Sequence, residues 1–371
     1  MKNTFGNQLS VTIFGESHGD CIGAVMDGLA PGIALDLDFI KQQMEKRKAK
    51  GNISTQRKEA DEIHIVSGYF EGYTTGTPLT ILIENTNTRS HDYEKTKNRL
   101  RPSHADYTAD IKYLGYQDYR GGGHFSGRLT AVLVAAGAIA MQVLKEKGIL
   151  IGSHILQCHH IKDDKFSTKE DILEEQISQM NQCDFALLNQ KKAEEMRKVI
   201  EEAAMQGDSV GGIIETCVLH MPEGIGEPFF DSIESHISHL LFSVPAVKGV
   251  EFGEGFDFAK LYGSEANDAI LFDGKVKTAT NHNGGINGGI SNGMPICIRS
   301  VIKPTPSIYK QQDTIDKETH EPVKLQIQGR HDPAIIHRAR VVIDSMVAIG
   351  LLDLIMERES TLSMLHNRKR K

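Results

Sequence analysis

Cysteine is scarce: Cys21, Cys158, Cys183, Cys217 and Cys297 are odd in number, widely spaced and never arranged as Cys-x-x-Cys. That pattern excludes a disulfide framework and gives no zinc site, and it suits reduced thiols in a cytosolic protein. Tryptophan is absent and aromatics make up 6% of the 371 residues, while polar low-complexity blocks are missing, so the chain reads as globular rather than disordered or fibrous. The start, Met1 to Phe5, lacks an apolar export segment, and cytoplasmic localisation is the expectation. The longest apolar run, Leu129 to Leu144, is short, rich in Ala and Gly and interrupted by Thr130 and Gln142, so it reads as a buried core helix and no membrane span is expected. A net charge of −7 argues against a nucleic-acid binder. The phosphate-binding Gly-x-x-x-x-Gly-Lys pattern, the dinucleotide fingerprint and His-Glu-x-x-His are all missing, and no metal is expected.

Glycine is abundant, at 35 residues against 11 prolines, which favours tight turns and close backbone approaches. Leu9, Val11 and Ile13 alternate as in a strand that ends at Gly15, and Ile22 to Met26 reads as the returning strand. Asp36 caps a helix carrying Leu37, Ile40 and Met44 on one face. Further strands are expected at Glu62–Val66, Leu79–Ile83, Leu150–Leu156, Gly212–Leu219 and Ile296–Ile302. Helices are expected at Lys169–Gln182, Lys191–Met205, near Ser232–Phe242 and from about Ile335 to Met356. Residues Arg368 to Lys371 form a basic end, and 361–371 reads as a flexible tail. With no shift in composition along the chain, residues 1–371 read as one α+β domain.

Four separated segments combine an acidic or basic side chain with glycine or proline: Gly15-Glu16-Ser17-His18-Gly19, Arg101-Pro102-Ser103-His104-Ala105-Asp106, Arg120 to Arg128, and Gly329-Arg330-His331-Asp332-Pro333. Imidazole titrates near neutrality and can protonate a departing oxyanion, so His18 and His104 read as general acids or as turn-capping histidines, with the flanking glycines and Ser17 at a strand end favouring the acid for His18. Asp332 before Pro333 reads as a helix cap as well as an acid. The Gly121-Gly122-Gly123 turn, running into a helix, presents backbone N–H groups to an anion. Lys46-Arg47-Lys48 and Arg99 with Arg101 are local basic patches in segments that look like loops. Together these features point to a small, phosphate-bearing anion, and a phosphatase or phosphotransferase using His18 is an open alternative.

The chain resembles the chorismate synthase family from Phe5-Gly6-Asn7 to the last long helix. The likeness rests on Gly15-Glu16-Ser17-His18-Gly19, Asp27-Gly28 with Pro31-Gly32, Arg101 to Tyr107, Tyr119 to Gly123, Val247-Lys248-Gly249-Val250-Glu251, Gly284-Gly285-Ile286 with Gly288-Gly289-Ile290, Lys303-Pro304-Thr305 and Gly329 to Pro333. The resemblance implies anti-1,4-elimination of phosphate from 5-enolpyruvylshikimate 3-phosphate to give chorismate. It also implies reduced flavin mononucleotide (FMN) as cofactor, a β-α-β sandwich subunit and a homotetramer; no separate reductase domain is evident, so an external flavin reductant is expected. By motif position, His18 would protonate the leaving phosphate, His104 the reduced flavin, and Asp332 would relay a proton from the flavin N5 region. Ser17, Arg47, Arg120, Arg128 and Arg330 carry over as substrate-binding residues. For the flavin the pattern carries over to His124, Phe125, Ser126, Pro245, Ala246, Gly288, Lys303, Pro304, Thr305, Pro306, Ser307 and Arg330. Many relatives read Arg-Ser-Ser at His124-Phe125-Ser126 and Asn-Ala at Pro245-Ala246, which leaves the backbone contacts as the part that transfers. The pyridine-nucleotide (NADP) positions of relatives fall on Lys46 and Asn52, where arginine is common, and nicotinamide binding is not expected.

Overall fold

The computed structural model describes residues 2–49, 54, 60–86, 97–327 and 331–365. Strands β1 (Thr4–Phe5), β2 (Ser10–Gly15) and β3 (Cys21–Asp27) are followed by α1 (Leu37–Arg47), β4 (His64–Ser67), the hairpin of β5 (Tyr69–Phe70) and β6 (Tyr73–Thr74), and β7 (Leu79–Glu84). A first sheet has the order β1-β2-β3-β7-β4. Strand alternation sets its inner face: Leu79, Ile81 and Ile83 of β7 are buried while the residues between them are less so.

Helix α2 (Asp106–Tyr113) and a 3-10 turn at Arg120–Phe125 lead into α3 (Thr130–Glu146). Next come β8 (Leu150–Cys158), β9 (Ile161–Lys162), α4 (Glu170–Met180), α5 (Gln190–Met205), β10 (Gly212–Leu219), α6 (Ile233–Ser243) and β11 (Val247–Phe252). After α7 (Gly263–Ala266), three hairpin pairs and one long strand follow: β12 (Ile270–Asp273) with β13 (Lys275–Thr278), β14 (Ile286–Asn287) with β15 (Ile290–Ser291), β16 (Ile296–Ile302), and β17 (Gln312–Ile315) with β18 (Pro322–Leu325). The chain then enters α8 (Ile336–Ser363). The second large sheet has the order β11-β16-β10-β8-β9 and is antiparallel throughout.

Helix α3 packs on β2, β3 and β7 of the first sheet and on α8, while α8 packs on β8, β10 and β16 of the second. The result is a β-α-β sandwich with one core running through all three layers, which is the α+β architecture expected. Helix α3 is apolar around its whole circumference, as a helix buried on every side must be. Its length and composition, with the preceding turn, would suit a membrane, yet 78% of that apolar window is buried inside the protein, as a core helix should be. A Cβ on Gly137 would stand 2.2 Å from Ser345 Cβ, so glycine is what lets α3 and α8 approach so closely.

Helix α8 buries charge as well as apolar surface, and hydrogen bonds hold the buried charged groups in place. Asp344 accepts from Ser153 Oγ at 2.8 Å, and Arg340 donates to the carbonyls of Ser153, Met180 and Cys183. Asp353 accepts the backbone N–H groups of Asn7, Gln8 and Leu9, pinning the turn between β1 and β2 to the helix.

Three local expectations are corrected. Lys46 and Arg47 form the last turn of α1 rather than a loop, and Arg47 is buried. Asp106 opens a helix where only a loop is expected. Helix α8 continues through Ser363, so 361–363 is helical rather than tail, because the helix pattern outlasts its apolar face; residues 366–371 lie outside the described ones.

Candidate active site

Residues 16–20 connect β2 to β3 and lie against the glycine turn at Arg120–Phe125. Ser17 N–H donates to the Gly123 carbonyl at 3.1 Å, and His124 Nδ1 donates to the Gly15 carbonyl at 2.8 Å. Ser17 Oγ faces the carbonyls of Arg120 and Gly121 at 3.2 and 3.1 Å, so its hydroxyl proton points there. Its oxygen therefore accepts from His18 Nδ1, 3.0 Å away. The proton of His18 available for transfer is then the one on Nε2 of the imidazolium. The turn offers carbonyls to this segment, and its three glycines take positive φ. A Cβ on Gly121 would stand 2.1 Å from His18 Cε1 and 2.2 Å from its Nδ1; the ring occupies the space a side chain would need.

A buried ion-pair cluster supports this turn. Asp61 accepts from Arg47 Nη1 at 3.1 Å on one oxygen and from Arg128 Nη1 on the other. Arg47 also donates to Thr130 Oγ1 at 2.9 Å and to the Gly127 carbonyl at 3.0 Å. Arg128 Nε donates to Asn85 Oδ1 at 3.0 Å, and Asn85 Nδ2 donates to the carbonyls of Glu16 and Gly19, both at 2.9 Å. Two guanidiniums thus meet on one carboxylate beneath the His18 segment. Arg120 lies closer to solvent and grips Asp118 with a bidentate fork, 2.8 Å on each arm. That fork, and to a smaller degree His18, holds Asp118 below the usual carboxylate range.

A second cluster surrounds His104. Arg101 forks Asp106 at 2.8 and 2.7 Å, and Lys303 Nζ donates to the Ser103 carbonyl at 2.9 Å. His104 Nδ1 lies 3.0 Å from the Pro102 carbonyl and Nε2 lies 2.8 Å from Ser307 Oγ. Burial first, then the Arg101 guanidinium, pulls the imidazole down to about 4, so it is neutral at physiological pH. Burial likewise lowers Lys303, with Lys248 adding repulsion.

The family model for chorismate synthase matches residues 9–356. The chain belongs to the chorismate synthase family. The chorismate synthase of Thermococcus kodakarensis is 44% identical over 356 residues, which cover 96% of this chain and 98% of that protein. That of Pyrococcus abyssi is 45% identical over 355 residues, covering 95% and 97%, and that of Dehalococcoides mccartyi is 43% identical over 356 residues, covering 95% and 96%. A crystal structure of chorismate synthase superposes with a TM-score of 0.75 at 27% identity, covering 95% of this chain and 93% of the other.

Among the residues carried over from the chorismate synthase family, Ser17, His18, Arg120 and His124 gather at the glycine turn, and Arg47 and Arg128 lie beneath it on Asp61. Phe125 meets Tyr113 of α2 edge-on at 6.0 Å, which links the turn to the helix that follows His104. Ser126 Oγ accepts from Arg128 N–H and caps the short turn before α3. His104, Lys303 and Ser307 are joined by hydrogen bonds around Ser103 and Pro102, and Ala246, at φ +78°, accepts from Lys303 N–H at 2.9 Å. Asp332 is buried, pairs with Arg338, and lines a cavity of about 40 Å³ together with Ser307 and His331. It is not the cap of α8, whose first turn follows Ile335 with no side-chain cap.

Gly288 is not brought to the others. Gly289 accepts from Ile233 N–H at the start of α6, whereas Ala246 follows the end of α6, about 16 Å away for a helix of 11 residues. Arg330 and Asn52 lie outside the described residues. The residues missed in the sequence are Asp61, Asn85 and Asp118. Asp118 is two residues from Arg120 and was legible as its partner, whereas Asp61 and Asn85 sit at strand ends without any local pattern.

Proposed function

We propose that this chain catalyses the chorismate synthase reaction, the elimination of phosphate from 5-enolpyruvylshikimate 3-phosphate to chorismate in the shikimate pathway, with reduced FMN as cofactor. The observation that carries the reading is His18, held through Nδ1 by Ser17 against a glycine turn that leaves no room for another side chain. One C–H bond and one C–O bond break, a second ring double bond forms, and a proton and phosphate depart. His18 Nε2 supplies the proton to the leaving phosphate. Arg120, with its Nη1 edge unpartnered among the described residues, favours an anionic substrate.

The residues fit a flavin: Thr305 Oγ1 and His331 Nε2 are buried without partners among the described residues. His124, Phe125, Ser126, Pro245, Ala246, the segment Lys303 to Ser307, and Arg330 would hold it. When bound, the reduced cofactor supplies transient electron density to the bond-breaking step without net redox change. His104 and Asp332 manage protons beside it, His104 at Nε2 and Asp332 at its carboxylate. Reduction comes from outside the chain.

The subunit works as a homotetramer in the cytoplasm. Support comes from the β12–β13 hairpin, where Ile270, Phe272 and Val276 are exposed, as are Phe256 and Tyr262, since an isolated two-stranded hairpin with bare apolar side chains is marginal in water.

The test is an anaerobic assay with purified protein, chemically reduced FMN and 5-enolpyruvylshikimate 3-phosphate. Chorismate absorbance rising in step with phosphate is expected; phosphate release with no chorismate would instead establish a phosphatase.

A further inference from the structure

Ser307 stands between His104 and the small cavity beside Asp332. A carbonyl can only accept, so His104 carries its ring proton on Nδ1, toward Pro102, and Nε2 of the neutral ring accepts from the Ser307 hydroxyl. In that state Nε2 has no proton to give. The charged groups facing the ring are Arg101 and Lys303, which disfavour a proton there, and Asp106, which favours one. A proton reaching Nε2 must therefore arrive along its own hydrogen bond.

On its other side Ser307 lines the cavity of about 40 Å³ with Asp208, Tyr309, His331 and Asp332. That volume admits water. His331 is tied to the Ile327 carbonyl, and its Nε2 is buried with no partner among the described residues, so it offers a lone pair to a water there.

We propose that Ser307 is a positioning residue, which sets the tautomer of His104 and relays protons between His104 Nε2 and water in the cavity lined by His331 and Asp332. In one transfer the Ser307 proton moves to Nε2, and the hydroxyl takes a proton from the cavity water. Solvent then replenishes the water, leaving hydroxyl and water as they began and one proton gained by His104. The inference rests on the proposed reaction for its purpose, but the coupling itself is readable without turnover.

Protein labelled with ¹⁵N-histidine, with His104 assigned by loss of its signals in His104→Gln, reports the tautomer directly. The expected wild-type ring has a protonated Nδ1 and an acceptor Nε2. In Ser307→Ala the Nε2 signal leaves its hydrogen-bonded position and the titration midpoint rises by one pH unit or more, and Ser307→Thr restores both. In turnover, Ser307→Ala lowers kcat by about 10- to 100-fold with KM little changed, and has no further effect in a His104→Ala background. An Nε2–H tautomer in the wild type, or unchanged His104 signals in Ser307→Ala, overturns the coupling whether or not the protein turns over. An equal loss in the His104→Ala background also overturns it, making Ser307 a simple cofactor contact. Absence of chorismate formation by the wild type overturns the functional reading separately.

Discussion

Gly121 and His18 compete for one small volume, and that competition defines the candidate site at the residue scale. A methyl at position 121 would meet the imidazole at 2.1 Å and Ser17 Oγ at 2.8 Å. Displacing a proton donor by an ångström costs on the order of 100-fold in rate. Gly121→Ala is therefore expected to lower kcat by about that factor while flavin binding persists. Gly148→Ala serves as the control, since it shares a positive φ but opens onto empty space, and its kcat should match the wild type. Equal kcat for the two variants would show that the ring is not held by this contact. His18 was legible in the sequence because glycines flank it at the end of an alternating strand. Asp61 was not, because one carboxylate among 49 acidic residues has no pattern until the fold sets Arg47 and Arg128 on its two oxygens.

Helices α3 and α8 are the elements on which both sheets rest, and their closest approach is Gly137 against Ser345. Alanine at 137 must push the helices apart, an overpacking penalty of about 1–3 kcal/mol. Chemical denaturation of Gly137→Ala should show a lowered midpoint with an unchanged slope, partly recovered by adding Ser345→Gly, which removes the nearest clashing atom but not the Ser345 backbone. A midpoint equal to the wild type would mean that the interface yields without cost. The helices and long strands were legible because their periodicity is repeated over many residues. Helix α2 was not: it has eight residues, Pro102 stands before it, and Tyr107, Ile111 and Leu114 remain exposed, so no buried stripe marks it.

At the scale of the whole molecule, the exposed apolar side chains of the β12–β13 hairpin mark the surface where copies of the chain are proposed to meet. Phe272→Asp places a charge at the centre of that surface. Sedimentation should show wild-type tetramers and smaller species for the variant, with far-UV circular dichroism unchanged; tetramers of equal stability in both would remove the hairpin from the interface. The sequence by itself determined the chemistry on offer: two histidines in glycine- and proline-bordered turns, arginines near them, a buried apolar helix and an α+β order of elements. Those features are local, since spacing along the chain sets turns, helix faces and residue types. Only the tertiary structure decided which charge neutralises which, that Ser17 orients His18 and Ser307 orients His104, and that Gly288 stands apart at the far end of α6. Such pairings join distant residues, His104 and Ser307 being 203 positions apart, and no local pattern in a chain carries the register of its own folding.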